Sequence, residues 1–257
     1  MKVITVALPK GGSAKTATTA EIIRVLASRG QRVLAIDLDQ QGNLTTRMGI
    51  TADTPLVGTL AQVLDPDEGV SIEDAAEPSP SVTGVDILVG ASDLVRVEEN
   101  PPADLATSLR DMLPAVADRW DWVVIDTPPN VGGLTLAGLA AADHVVISVQ
   151  AATEAYDQIA RLEEVVDKRI ARRMKPGLSI DAVVPTMYDG RRLLDQEVLQ
   201  LLTERFGQKV TPPVRNAVAV RDAYTAGMPV GIYDASAEVT KDYDTAVTHL
   251  LTLIEGA

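Results

Sequence analysis

The feature that most constrains the fold is a strand, a glycine-containing loop and a helix that follow one another within the first 30 residues. The nearly continuous apolar run over residues 3–8 is rich in β-branched side chains. It predicts a strand buried on both faces of a parallel sheet, and we expect it to be the central strand. Gly11 and Gly12 follow it. Apolar residues at helical spacing come next and end at Gly30, which predicts a helix with a glycine stop.

The loop residues suit the binding of a nucleotide's phosphates. Gly11 and Gly12 have no Cβ, so backbone N–H groups can approach phosphate oxygens, and the positive end of the helix adds to that field. Lys15 can supply a charge to the β- and γ-phosphates, and the Thr16 hydroxyl can bind Mg²⁺. An ordinary glycine-rich turn is the alternative, but the strand before and the helix after favour nucleotide binding.

The loop departs from the P-loop pattern GxxxxGK(S/T), because Pro9 and Ala14 replace its two glycines and Lys10 is an additional cation. With these changes it resembles the deviant Walker A motif, KGGxGKT, of the ParA/MinD family of dimerising P-loop ATPases. In that family the early lysine, here Lys10, reaches the nucleotide of the partner subunit. The alternative interpretation is that Lys10 is a solvated loop lysine without this role. The resemblance implies that ATP contacts a set of loop residues: Lys10, Gly11, Gly12, Ser13, Ala14, Lys15, Thr16 and Ala17.

Ala14 is the departure with the largest expected effect. Its methyl group stands just before Lys15, where it can crowd the phosphates or strain a backbone position that favours glycine. We therefore expect weaker nucleotide binding and slower hydrolysis than is usual in the family.

Two further segments resemble family motifs. A second apolar strand over residues 32–37 leads into Asp37 and Asp39, in a segment similar to DxDPQGN with Gln40 in place of proline. The resemblance implies that Asp39 orients the attacking water and that Asp37 supports the magnesium shell. Their alternation predicts side chains on one side of the strand end, although acidic residues also cap plain turns. Residues 120–129 match YDYILIDTPP, a Walker B pattern in which Asp126 holds Mg²⁺ through water.

The remaining segments are less specific. Residues 180–189 resemble a family strand and turn that would place Thr186 and Met187 near the adenine edge. Relatives carry a glutamate that contacts the partner's ribose where Ala152 stands here, and Glu154 is a possible substitute. Residues 51–83 are acidic and rich in proline, which predicts a solvated excursion with one or two short helices. Other helices are predicted near 103–118, from near Thr153, and over about 236–255.

Charge limits where DNA could bind. The net charge is −13; residues 1–150 carry 10 basic and 20 acidic side chains, and residues 151–257 carry 13 and 16. A polyanion-binding face therefore belongs to the second part. Four arginines there lie in segments that resemble those from which the family's sequence-independent DNA contacts come. They are Arg191, Arg192, Arg215 and Arg221.

Length and composition predict a single α/β domain over residues 1–257. The resemblance implies that this domain is a P-loop NTPase with a mostly parallel twisted sheet and helices on both faces. The absence of cysteine excludes disulfides and thiolate metal sites. We find no signal peptide or long apolar run, and the last helix lacks the cations of a membrane anchor, so we expect a cytoplasmic protein that does not bind membranes.

The resemblance covers residues 2 to about 250 and implies a ParA-type partition ATPase. Such a protein would form an ATP-dependent homodimer with Mg²⁺, bind nucleoid DNA non-specifically, and be released when a ParB-like centromere-binding partner stimulates hydrolysis. Two alternatives stay open. The same ATPase could position a protein cargo, or Ala14 could make it a weakly hydrolysing, nucleotide-gated switch.

Overall fold

The computed structural model describes residues 1–152 and 154–256, and these form a seven-stranded sheet with helices on both faces. The strand order is β3-β4-β2-β5-β1-β6-β7, and all neighbours are parallel except β3 and β4. The strands are β1 (Lys2–Val6), β2 (Val33–Asp37), β3 (Ala76–Pro78), β4 (Val85–Leu88), β5 (Trp122–Asp126), β6 (His144–Gln150) and β7 (Ile180–Thr186).

The helices fill the connections between these strands. They are α1 (Lys15–Ser28), α2 (Asn43–Arg47), α3 (Leu60–Leu64), α4 (Ile72–Ala75), α5 (Leu94–Glu99), α6 (Leu105–Met112), α7 (Gly133–Ala141), α8 (Ala155–Val165), α9 (Leu193–Phe206), α10 (Ala219–Thr225), α11 (Val230–Tyr233) and α12 (Glu238–Glu255). Short 3₁₀ turns follow α6 and α9, and a π-helical turn, Val166–Ala171, follows α8.

The apolar runs form the buried strands, as predicted. Val3 and Ile4 are consecutive in β1 but pack into different clusters, because side chains alternate along a strand. Ile4 lies on the face covered by α1 and α12, and Val3 on the face covered by α6 and α7. The expectation that β1 is the central strand is wrong: β5 is fourth of the seven, and β1 lies beside it, between β5 and β6.

The predicted helices are present with small shifts. Helix α1 ends at Ser28, and Gly30 follows with φ 77°, the left-handed conformation expected of a glycine stop. Helix α12 buries its apolar stripe in the core. The helix predicted near 103–118 is α6 with a 3₁₀ turn at Leu113–Val116. Thr153, the predicted start of another helix, lies outside the described residues; α8 begins at Ala155.

The segment 51–83 differs from its prediction in two respects. It contains two short helices, as expected, but it also supplies β3, which pairs antiparallel with β4 at the edge of the sheet. Leu60 and Ile72 are buried in the core, so the segment covers the sheet as well as meeting solvent. Among the described residues, no helix is both long and apolar enough to cross a membrane.

Candidate nucleotide-binding site

The residues that follow β1, β2 and β5 meet at one edge of the sheet. Val6 and Asp37 are both in register with Asp126, so the three strands end at the same level. This is the carboxyl edge, where ligands bind in open α/β sheets. A cavity of about 580 Å³ opens here. Its wall includes Gly11, Gly12, Ser13, Ala14, Lys15, Thr16, Ala17, Asp39, Gln41, Asn43, Arg47, Pro129, Met187, Val220, Arg221, Tyr224 and Thr225.

The glycine loop is held by hydrogen bonds from the neighbouring strands β6 and β7. The carbonyl oxygen of Ser13 accepts hydrogen bonds from Ser148 Oγ at 2.8 Å and from Thr186 Oγ1 at 3.1 Å. Of the two residues predicted at the adenine edge, Met187 lines the cavity, whereas Thr186 is fully buried beneath the loop. Thr186 therefore supports the loop backbone, and so does Ser148, which sequence reasoning missed.

The loop backbone adopts left-handed conformations just before α1. Gly12 has φ 76° and Ala14, the N-cap of the helix, has φ 59°. Among the described residues, Ala14 and Met187 (φ 53°) are the only non-glycine residues with positive φ, and both line this cavity. Such conformations cost free energy and cluster at binding sites. The strain expected from the alanine is thus present in the structure.

Lys15 lies at the start of α1 with its side chain buried. Its Nζ donates a hydrogen bond to the carbonyl oxygen of Lys10 at 2.9 Å. Burial lowers the pKa of Lys15, and the negative charges of Asp126 and Asp39 partly oppose that shift. A buried ammonium group in the wall of this cavity is well placed to bind an anion, because little water screens its charge.

Thr16 lies next to the carboxylate of Asp126. Thr16 Oγ1 donates to Asp126 Oδ2 at 2.6 Å, and Thr19 Oγ1 donates to Asp126 Oδ1 at 2.9 Å. Burial raises the pKa of Asp126 to about 6, and the two hydroxyls and Lys15 act in the opposite direction. A hydroxyl and a carboxylate are oxygen donors of the kind that Mg²⁺ accepts beside substrate phosphates, so these residues fit that ion. Sequence reasoning did not identify Thr19.

The two aspartates after β2 have separate environments. Asp39 lines the cavity, and its Oδ1 accepts from the backbone N–H of Gln41 at 3.0 Å. Asp37 is fully buried: its Oδ2 accepts from the backbone N–H and the hydroxyl of Thr45, and its Oδ1 accepts from the N–H of Asp39. Because the strand ends at Asp37, its alternation does not extend to Asp39, and of the two residues only Asp39 lines the cavity. Burial and the charge of Asp126 raise the pKa of Asp37 to about 8.

Lys10 lies beside the cavity in the exposed part of the loop. Its Nζ is 3.8 Å from Glu154 Oε2, and its side chain is 35% exposed. The residue that could replace the family's ribose-contacting glutamate therefore faces Lys10 in this subunit.

Comparison with known proteins identifies the family of the chain. A family model described as an AAA domain matches residues 1–180. The chain is 34% identical over 249 residues to the chromosome partitioning protein ParA of Caulobacter vibrioides, and the aligned region covers 95% of this chain and 91% of that protein. It is 37% identical over 210 residues to the chromosome-partitioning ATPase Soj of Thermus thermophilus, with 80% and 78% covered. The chain belongs to the ParA/MinD family of P-loop ATPases.

A solved structure shows the same fold. Cobyrinic acid a,c-diamide synthase from Mycobacterium smegmatis, in a crystal structure with bound ADP and magnesium, superposes with a TM-score of 0.80 at 28% identity, covering 100% of this chain and 97% of that one. The ParA/MinD motifs identify a lysine, a threonine and an aspartate, which are Lys15, Thr16 and Asp126 in this chain. Thr16 is hydrogen-bonded to Asp126, and the charge of Asp126 acts on Lys15.

The four arginines predicted to contact DNA are not equivalent in this ParA/MinD chain. Arg191 makes two 2.9 Å hydrogen bonds to the carboxylate of Asp189, and Arg192 Nε lies 3.7 Å from the same group. Arg215 Nη2 donates to Asp242 Oδ1 at 2.9 Å. Arg221 is exposed on α10 and lines the nucleotide cavity. Three of the four arginines therefore have a carboxylate beside them.

Proposed function

We propose that this chain is a ParA-type ATPase that partitions plasmid or chromosomal DNA. The observation that carries the proposal is the placement of Lys15 and Thr16 at the start of α1, in the cavity wall and next to the buried Asp126. The relatives from Caulobacter and Thermus, both named for chromosome partitioning, support the cellular role. The structural neighbour with ADP and magnesium supports the choice of cofactor.

Binding of the triphosphate would rest on the loop and on Lys15. The glycines leave backbone N–H groups free to approach phosphate oxygens, and the N-terminus of α1 adds its partial positive charge. The Nζ of Lys15 now donates to the Lys10 carbonyl, and a phosphate oxygen would be the stronger, charged acceptor. Ser148 and Thr186 hold the Ser13 carbonyl and so keep the loop in place for this contact.

Thr16 and Asp126 would hold Mg²⁺, with Asp37 as the buried carboxylate behind them. When bound, the ion offsets the charge of the β- and γ-phosphate oxygens. Asp39 would accept a hydrogen bond from the attacking water and thereby orient it toward the γ-phosphate. The bond from the Gln41 N–H to Asp39 Oδ1 fixes that carboxylate in the cavity wall.

The active form would be a homodimer with the nucleotides between the subunits. Lys10 would then leave its contact with Glu154 and reach the partner's phosphates. That contact is partly exposed at 3.8 Å, so breaking it costs little. ATP would favour the dimer, because a ligand held by both subunits binds the dimer better than the separated chains.

DNA binding would use phosphate contacts only, and Arg221 is its best candidate. It is exposed, and it lies on a helix that also borders the nucleotide cavity. Binding through a few cations on a chain of net charge −13 would be weak and easily reversed. Hydrolysis stimulated by a ParB-like partner would then release the protein from the nucleoid.

The test is retention on non-specific duplex DNA at low salt with Mg²⁺ and ATP, ADP or no nucleotide. We expect retention with ATP alone, and its loss in Lys15→Ala and Arg221→Ala. Arg29→Ala is the matched control, because Arg29 is an exposed arginine at the far end of α1, and it should bind DNA like the unchanged protein. If ATP dimerises the protein and no state binds DNA, the DNA-partition function is wrong.

The pairing of three candidate arginines with carboxylates favours a second function, in which the same ATPase positions a protein cargo. The acidic total charge points the same way. In that case ATP-dependent dimers would form with normal turnover, and their track would be a protein surface.

A further inference from the structure

Arg47 is buried in the wall of the nucleotide cavity and has no carboxylate partner among residues 1–152 and 154–256. It is 8% exposed, at the end of α2. Its Nη2 donates to the carbonyl oxygen of Val220 at 3.3 Å, and its guanidinium lies 5.2 Å from the ring centroid of Tyr224. A guanidinium has five N–H donors, so these contacts satisfy only part of its capacity.

The burial of this charge is only partly compensated by the protein. Burial lowers the pKa of Arg47, and the groups that oppose the shift are Tyr243, Glu21, Tyr224 and Asp126. The Glu21 carboxylate already accepts from Arg24 and from the N–H of Gly231. Since the cavity that Arg47 lines also contains the phosphate loop, an anion bound there would supply the missing negative charge.

Arg47 also joins two parts of the site that are far apart in sequence. Helix α2 follows directly on the loop that contains Asp39. Thr45, a residue of this helix, donates its backbone N–H to the Asp37 carboxylate. On the other side is α10, which carries Arg221. Two hydrogen bonds connect the helices: Arg47 to the Val220 carbonyl, and the Tyr224 hydroxyl to Asn43 Oδ1 at 2.9 Å.

We propose that Arg47 is a positioning residue through which the charge of the bound nucleotide acts on α10 and therefore on Arg221. The inference rests on the proposed function, because it names how the nucleotide controls the DNA-contacting helix. A triphosphate carries more negative charge than a diphosphate, so it stabilises the buried guanidinium against Val220 and Tyr224 more strongly. A ligand can shift a conformational equilibrium only by such a difference in its interaction with the two states.

Linkage gives the proposal a second consequence. If ATP strengthens the Arg47 contacts more than ADP does, then Arg47 must strengthen ATP binding more than ADP binding by the same factor. Arg47 is thus expected to contribute to the preference for triphosphate without taking part in the chemistry itself.

The experiment compares Arg47→Met with the unchanged chain by titrating a fluorescent non-hydrolysable ATP analogue and the matching ADP analogue in Mg²⁺. Methionine keeps an unbranched side chain and removes the charge. We expect the ratio of ATP to ADP affinity to fall by about fivefold or more, the lower end of measured couplings between sites. Unfolding without nucleotide should be unchanged or occur at higher temperature, because a buried charge has been removed. A merely structural arginine would give the opposite stability change.

Three further variants complete the test. Arg47→Lys keeps the charge and should retain most of the preference, and Arg29→Met should change nothing. Tyr224→Phe removes only the hydroxyl bond to Asn43, so it should keep the nucleotide preference and reduce the ATP dependence of DNA retention. Should Arg47→Met fail to fold, Arg47→Gln removes the same charge, and the same fall in the affinity ratio is expected of it.

An affinity ratio within about twofold of the unchanged chain in the neutral variants would overturn the proposal. This outcome is distinct from failure of the proposed function. If the unchanged protein binds ATP but no DNA, the partition function fails, while the affinity ratio still decides the role of Arg47.

Discussion

Thr16 and Asp126 are joined by a 2.6 Å hydrogen bond from the Thr16 hydroxyl to Asp126 Oδ2, across 110 residues of sequence. It connects the first turn of α1 to the last residue of β5. A hydroxyl that donates its proton to a carboxylate keeps its oxygen lone pairs for a metal ion. The bond therefore keeps the two residues that are proposed to hold Mg²⁺ next to each other before the ion arrives.

Removing the Thr16 hydroxyl should weaken Mg²⁺ binding. For Thr16→Ala we expect the magnesium concentration needed for nucleotide binding to rise by about 10- to 100-fold, the range found when groups around a metal site are removed. Thr16→Ser keeps the hydroxyl and should stay close to the unchanged protein. Magnesium titration of nucleotide affinity measures the effect, and equal midpoints for the alanine and serine variants would show that Thr16 is not a ligand.

The buried pair Asp37 and Asp126 should make stability fall as pH rises. Their pKa values are raised to about 8 and about 6 from the ordinary 3.8. Between about pH 4 and pH 8 the folded chain therefore binds more protons than the unfolded chain, and the free energy of unfolding decreases with pH. The slope is at most about 1.4 kcal/mol per pH unit for each proton.

Denaturant unfolding from pH 5 to 8 without Mg²⁺ or nucleotide measures this decrease. Asp37→Asn is neutral throughout, so it should lose the part of the decrease between pH 6 and 8. ATP with Mg²⁺ is expected to favour the ionised form of Asp126, so the stabilisation that it gives should grow as the pH rises to about 6 and level off above it. A pH profile identical in Asp37→Asn and the unchanged protein would contradict the assignment.

The parts of the site that are continuous in sequence could be predicted. The loop, the Walker B strand and the helix after Gly12 follow from local periodicity and from glycine and lysine at fixed positions. Ser148, Thr186 and Thr19 could not be assigned their roles, because each depends on a contact between segments at least 107 residues apart. Strand β3 has three residues, one of them proline, which is too short for a period to be recognised.

Surface charge was predicted least well. The arginines were recognised by their positions in resembling segments, and sequence gave no measure of how they pair. Asp189 lies two residues before Arg191, but Asp242 comes to Arg215 from α12, 27 residues later. Whether an arginine is free for a phosphate is decided by tertiary placement of the acids.

Ala14→Gly should stabilise the chain. The φ of 59° costs an L-residue about 1–3 kcal/mol, and glycine removes that strain. Glycine also raises the entropy of the unfolded chain, which offsets about 0.4–1 kcal/mol of the gain. A net gain of about 1 kcal/mol corresponds to roughly 2–4 °C in Tm. Ala17→Gly, three residues later in the regular helix, is the matched control and should lower stability by about 1 kcal/mol.

The same variant tests the switch alternative. If Ala14 slows hydrolysis by crowding the phosphates, Ala14→Gly should raise ATP turnover strongly, whereas Ala17→Gly should not. Turnover equal to that of the unchanged chain, together with the expected gain in Tm, would show that the alanine strains the loop without limiting the chemistry.

Asp242→Asn should strengthen DNA binding in the ATP state by releasing Arg215. In the present structure the guanidinium donates two hydrogen bonds to the Asp242 carboxylate, which competes with any phosphate. Each new phosphate contact should steepen the salt dependence of log K by about 0.9. For the same reason Arg215→Ala should weaken binding less than Arg221→Ala.

Asp67→Asn, at an exposed position in the acidic segment, makes the same charge change and controls for net charge. If both asparagine variants raise DNA affinity equally, total charge and not the release of Arg215 is responsible, and Arg215 is not part of the DNA-binding face.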